Sequence, residues 1–181
     1  MRELSEIGVV GVVGAGTMGN GIAQVAATAG YEVVVRDIEP EYVERGLDSV
    51  DDSLARLAEK GRLGDSPEAI RDRITGTTDL GALAEADVVV EAAVEDLEVK
   101  RSVFADLDAV TDDDVVLATN TSTLSITAVA SATDRASDVV GLHFMNPVPI
   151  MDGVEVVVGE HTADAVVDFA HAFAEDLGKE T

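Results

Sequence analysis

From Ile7 to Asp37 the sequence reads IGVVGVVGAGTMGNGIAQVAATAGYEVVVRD, and few folds accommodate that order of residues. Ile7–Val13 is a short, almost continuous apolar run of the kind that suits a parallel strand covered on both faces. Gly14-Ala15-Gly16-Thr17-Met18-Gly19 follows without a break. A helical stretch then carries Met18, Ile22, Val25, Ala26 and Ala29 on one side, and Gly30 supplies a stop. Glu32–Arg36 is a second strand, ending in Asp37. Strand, glycine turn, helix, strand and acid within about thirty residues is the pattern of a dinucleotide-binding βαβ unit. In such a unit Gly14 permits the tight turn, Gly16 admits a pyrophosphate to the backbone, and Gly19 lets the helix pack on the strand. The helix N-terminus, where Met18 stands, offers free N–H groups and partial positive charge to phosphate. Asp37 is placed to accept hydrogen bonds from ribose hydroxyls. A carboxylate there favours NAD over NADP, while Arg36 beside it counts the other way. The plain alternative is a structural turn with a surface acid.

Beyond Pro40 the period changes. Val43, Leu47, Val50, Leu54 and Leu57 recur at spacings of four and three, one stripe of a long helix that stops near Lys60-Gly61. Ser66-Pro67 reads as an N-cap with proline at the first helical position, opening a shorter helix through Ile70 and Ile74. The two together read as an inserted helical hairpin. Alternation then resumes, with strands at Val88–Glu91, Val115–Thr119, Val139–Leu142 and Val154–Val158. Val99, Val103, Phe104, Leu107 and Val110 mark a helix between the first two, and Ala163–Leu177 closes as an amphipathic helix. The pattern predicts an α/β fold: a doubly wound, Rossmann-type, mostly parallel sheet with an inserted helical hairpin, in one domain over residues 1–181.

Charge narrows the function classes. The chain holds 36 acids against 12 bases, a formal net charge of −24, with its acids dispersed and only Lys60, Lys100 and Lys179 as lysines. Such a field repels nucleic acid and anionic membranes, so neither is expected as a partner. It also opposes compaction unless salt screens it, and near 1 M salt the Debye length falls to ~3 Å. Dispersed acid with scarce lysine resembles the proteins of extreme halophiles, and an archaeal halophile is the expected source. No apolar run approaches the ~20 residues of a membrane-spanning helix, and the N-terminus lacks the basic region of a signal peptide. With no cysteine and three scattered histidines, neither thiolate chemistry nor a metal site is expected. The expectation is a soluble, cytoplasmic protein.

The second half carries the chemistry. Thr119-Asn120-Thr121-Ser122-Thr123 follows a strand at its carboxyl end, the edge where open α/β sheets bind ligands. It could equally be a polar loop capping the next helix. His143 ends another strand, in GLHFMNPVPIMDGVEVV, and Glu155 sits twelve residues on within an apolar run. A carboxylate buried in such a strand needs a partner, and His143 is the obvious one. The two make sense as a couple that holds one histidine tautomer and steadies a proton.

These stretches, with VVRDIEPEYVERGLDS, VVVEAAVEDLEVKRSVFADLD and LATNTSTLSI, resemble the L-3-hydroxyacyl-CoA dehydrogenase family, particularly the 3-hydroxybutyryl-CoA type, from about Ile7 to Lys179. The resemblance implies NAD-dependent oxidation of a 3-hydroxyacyl-CoA to the ketone, or the reverse, in fatty-acid metabolism. It implies that His143 is the general base, Glu155 its orienting partner, and Ser122 the donor to the reacting oxygen. Asp37, Glu95, Lys100 and Asn120 match cofactor contacts. Ser53 and Lys60 match positions that meet coenzyme A, with Arg56 one helical turn before Lys60, and Asn146 is carried over as a substrate contact. Asp152 stands where the family often has lysine. The family's C-terminal helical domain, which dimerises, has no counterpart before Thr181, so a fragment, or a chain completed by a partner, is expected. Two other readings share the fold: a related 3-hydroxyacid dehydrogenase without the CoA contacts, and a non-catalytic NAD-binding domain.

Overall fold

The computed structural model describes residues 2–181. Seven strands form one sheet in the order β3-β2-β1-β4-β5-β6-β7. They are β1 (Val9–Val13), β2 (Glu32–Arg36), β3 (Ile74–Thr77), β4 (Val88–Glu91), β5 (Val116–Thr119), β6 (Val139–Phe144) and β7 (Val154–Val157). All neighbours are parallel except β7, which runs antiparallel to β6 at one edge. The helices are α1 (Thr17–Ala29), α2 (Pro40–Glu59), α3 (Pro67–Asp72), α4 (Leu97–Val110), α5 (Ile126–Ala130) and α6 (Asp164–Asp176).

Side chains alternate across the strands, so the sheet divides the core into two layers. Val10, Val12, Val88, Val90 and Ala118 pack with Ile22 and Ala26 of α1, Leu54 of α2 and Phe173 of α6. Val13, Val89 and Leu117 face Phe104 and Leu107 of α4 and Val129 of α5. The continuous valine runs reflect this double coverage. Gly30 ends α1 in the left-handed region at φ 108°, as its place after Ala29 predicts.

One strand escapes the sequence reading. Ile74 does not continue α3, which stops at Asp72; it opens β3 beside β2. Its spacing of four from Ile70 imitates a helix, and β3 offers little else, since Gly76 has no side chain. A Cβ on Gly76 would lie 2.4 Å from Val43 Cγ1, so α2 rests directly on that backbone. The α2–α3 hairpin is therefore the crossover between β2 and β3. Ser66 caps α3 as predicted, its Oγ accepting from Ala69 N at 3.2 Å. A smaller difference concerns His143, which lies inside β6 and not past its end.

Strand order reverses between β1 and β4: from β1 the chain crosses to β2 and β3, then returns to β4 on the other side. The carboxyl ends of β1 and β4 therefore diverge into a crevice, the place where such sheets bind ligands.

Candidate active site

Gly14, directly after β1, adopts φ +99°, and a Cβ there would come 2.7 Å from Ala92 O beyond β4. Both the conformation and the contact demand glycine. At Gly19 a Cβ would meet Gly14 O at 1.7 Å, so α1 can lie against the turn only without one. Gly16 differs: a Cβ would meet nothing within 4 Å and would project into open space. The first N–H groups of α1, including those of Thr17 and Met18, lack partners within the helix and form its positive end.

These residues open onto a cleft of about 520 Å³, lined by Gly14, Gly16, Asn20, Asp37, Ala93 and Val99 among others. Asp37 is held by two backbone donors: its Oδ2 accepts from Ala15 N and its Oδ1 from Ile38 N, both at 2.7 Å. Arg36 lines the same cleft, and its Nε is buried without a hydrogen-bond partner. Ile38, Tyr42, Val94 and Val99 leave exposed apolar surface around it. A glycine cradle, a fixed carboxylate, an orphaned cationic N–H and an apolar rim fit a dinucleotide. Met18 does not line the cleft; its side chain packs toward the core, so only its backbone can serve a phosphate. The sequence reading singled out none of Asn20, Tyr42, Arg45 and Ser49, which line the cleft from α1 and α2.

A second group of side chains gathers at the carboxyl ends of β4, β5 and β6. Asn120 Oδ1 accepts from Phe144 N at 2.9 Å, and Asn120 N donates to Glu91 O, tying the three strand ends together. Thr119 and Gly141 are register partners, so Ser122 and His143 both project past the same level of the sheet. Ser122 is exposed. His143 and Glu155 are register partners across the antiparallel β6–β7 pair, and their side chains meet, Nδ1 to Oε2 at 2.8 Å.

Two expectations need correction here. Glu155 is not buried: β7 is the edge strand, and the Glu155 side chain is 66% exposed beside a His143 side chain that is 21% exposed. Lys100 does not line the cleft: its side chain is 1% exposed and its ammonium is engaged inside the protein. Nζ donates to Glu91 Oε1 at 2.8 Å, to Glu91 Oε2 at 3.0 Å and to Ala93 O at 3.3 Å. Glu95 is turned toward the Ser122 loop, where its Oε1 accepts from Thr121 Oγ1 at 2.5 Å, Ser122 N at 3.0 Å and Thr123 N at 3.2 Å. Partial burial pushes the Glu95 carboxyl up, but the Thr121 hydroxyl, the loop N–H groups and nearby Lys100 outweigh it and hold it below the usual range. Ser53 and Lys60 lie on or just past α2, outside the cleft, and Asn146 is exposed in the turn after β6. The structure thus gathers Asn120, Ser122, His143 and Glu155 at one edge and leaves Ser53 and Lys60 apart from the cofactor cleft.

Chemically, Nδ1 of His143 donates to Glu155 in the neutral tautomer, leaving Nε2 free to accept a proton. The fold and this edge define a doubly wound, dinucleotide-binding domain with a histidine–carboxylate couple beside the crevice. The chain belongs to the family described as 3-hydroxyacyl-CoA dehydrogenase, NAD binding domain, whose model matches residues 9–181. The cofactor is accordingly NAD. A 3-hydroxybutyryl-CoA dehydrogenase of Bradyrhizobium diazoefficiens is 43% identical over 172 residues, covering 94% of this chain and 59% of that protein. The crystal structure of an (S)-3-hydroxybutyryl-CoA dehydrogenase from Ralstonia eutropha superposes with a TM-score of 0.93 at 41% identity, covering 96% of this chain and 62% of that one. A 3-hydroxybutyryl-CoA dehydrogenase from Escherichia coli K12 gives a TM-score of 0.93 at 43% identity, covering 97% of this chain and 37% of that one. The chain thus spans about three fifths or less of each relative's length.

Proposed function

We propose that this chain supplies the cofactor site and the proton-transfer residues of an NAD-dependent L-3-hydroxyacyl-CoA dehydrogenase. The observation that carries the reading is the His143–Glu155 contact at 2.8 Å beside Ser122, at the same sheet edge as the dinucleotide cleft. NAD, when bound, supplies the hydride acceptor. His143 Nε2 takes the proton of the substrate's 3-hydroxyl, Glu155 orients the ring and offsets its positive charge, and Ser122 donates to the reacting oxygen. In reduction of the ketone the imidazolium returns the proton.

Residues 1–181 act as one domain, and the active protein is a homodimer completed by further helical structure. Ser53, Lys60 and Asn146 contact the acyl-CoA. Among the described residues, none of Arg56, Lys60 and Arg62, at or just past the end of α2, is ion-paired with an acid, which in so acidic a protein suits them to a polyanionic substrate. No helix among the described residues is long and apolar enough to cross a membrane. A salt-rich cytoplasm is the proposed setting, supported by the 36 acids against 12 bases. The experiment is NADH oxidation with acetoacetyl-CoA in molar KCl, beside a His143→Ala control. Turnover abolished by the substitution supports the reading; turnover equal in both sinks it. Equal use of free 3-hydroxybutyrate and its CoA ester would overturn the CoA assignment alone.

A further inference from the structure

Among the described residues, six of the 12 lysines and arginines are ion-paired with acids (Arg2, Arg71, Arg73, Lys100, Arg101 and Arg135), and of these Lys100 is the most deeply buried. Its partner Glu91, the last residue of β4, is 0% exposed. Both Glu91 oxygens are saturated: besides Lys100, Oε1 accepts from Ala93 N at 2.6 Å and Oε2 from Thr119 Oγ1 at 2.7 Å. Glu91 therefore joins the end of β4, the turn after it, the end of β5 and α4. A fully buried ion pair is a poor stabiliser, because desolvation of two charges offsets most of their attraction, and an apolar pair of the same volume often serves as well. Its place, one step from the Ser122 loop, suggests another use. Lys100 Nζ stands 3.6 Å from Glu95 Oε2, and the other oxygen of Glu95 holds Thr121, Ser122 and Thr123.

We propose that Glu91 and Lys100 are positioning residues for Ser122, acting through Glu95. Glu91 fixes the ammonium at one point. The ammonium then fixes the Glu95 carboxylate, whose Oε1 draws in the Ser122 and Thr123 N–H groups. The loop so held presents the Ser122 hydroxyl at the sheet edge shared with His143. The inference rests on the proposed role of Ser122 for its functional meaning, but its physical content is a loop geometry that can be measured without turnover.

The test is amide hydrogen exchange by NMR on this chain in molar KCl. Variants are Lys100→Met, Lys100→Arg, Glu95→Gln and the double Glu91→Gln/Lys100→Met. Lys100→Met alone leaves Glu91 buried and uncompensated and is expected to melt early. The double variant removes both charges and is expected to regain most of that loss. Its Ser122 and Thr123 amides should still exchange about tenfold faster than in the parent, with core amides of β1 and β4 unchanged. Glu95→Gln, at a partly exposed side chain, should give the same loop effect with no change in Tm. Lys100→Arg should recover part of the loop protection, because it keeps the charge. The proposal fails if the double variant protects Ser122 and Thr123 as the parent does. It fails equally if those amides change only in step with the core, or if Glu95→Gln leaves them unaltered. A chain without dehydrogenase activity that nonetheless shows the loop effect would keep this inference and discard the catalytic reading.

Discussion

His143 has a single nitrogen available for chemistry because Glu155 occupies the other. Replacing His143 by alanine should lower turnover by roughly 10²–10⁴, the range of positioned general acid–base catalysis. Glu155→Gln should cost less, about tenfold, because the exposed carboxylate acts through solvent-screened attraction as well as a hydrogen bond. The measurement is kcat with acetoacetyl-CoA for each variant. Glu95 gives a pH-dependent prediction. Its carboxyl is held below the ordinary carboxylate range, so its contribution is present above the unfolded pKa and fades as pH falls through the folded one. Facing it are Lys100 from α4, with Glu91 of β4 behind, and the loop donors of residues 121–123. Exchange protection of the Ser122 and Thr123 amides should therefore decline as pH falls below the ordinary carboxylate range, and Glu95→Gln should abolish that dependence. The pairing of His143 with Glu155 could be read from alternation along two strands. The exposure of Glu155 could not, because an edge strand and a covered one share the same valine-rich pattern.

At the scale of elements, the βαβ unit from β1 to β2 was legible almost residue by residue. Its glycines, helix stop and terminal acid are contiguous, and each answers to a local backbone demand. Gly14→Ala tests the turn glycine constrained in both conformation and contact: φ +99° and a carbonyl 2.7 Å from the new Cβ both oppose it. The variant should lose about 1–3 kcal/mol of stability and most of its NADH affinity, read from thermal melts and NADH fluorescence titration. Ser66→Ala, which removes a side-chain cap from α3, should cost about 1 kcal/mol and leave NADH binding unchanged. β3 was illegible for a reason its sequence makes plain. In Ile74-Thr75-Gly76-Thr77 only Ile74 is apolar, and its spacing from Ile70 is that of a helix. Pairing with β2, not local pattern, makes it a strand.

For the whole molecule, charge is the dominating term. Among the described residues six lysine and arginine side chains pair with acids, so most of the 36 carboxylates repel one another across the surface. Raising KCl from low to molar concentration should stabilise the fold by a few kcal/mol, seen as about 10 °C in Tm; an unchanged melting curve would remove the argument for a salt-rich cytoplasm. The amino-acid sequence alone determined the doubly wound class, the cofactor turn and the sign of the surface field, because these follow from neighbouring residues and from composition. Only the tertiary structure decided that Lys100 is sealed inside against Glu91, that Glu95 turns to the Ser122 loop, and that Glu155 stands at an open edge. Those outcomes depend on which strands lie side by side, and parallel pairing brings together residues from distant segments that no local period connects.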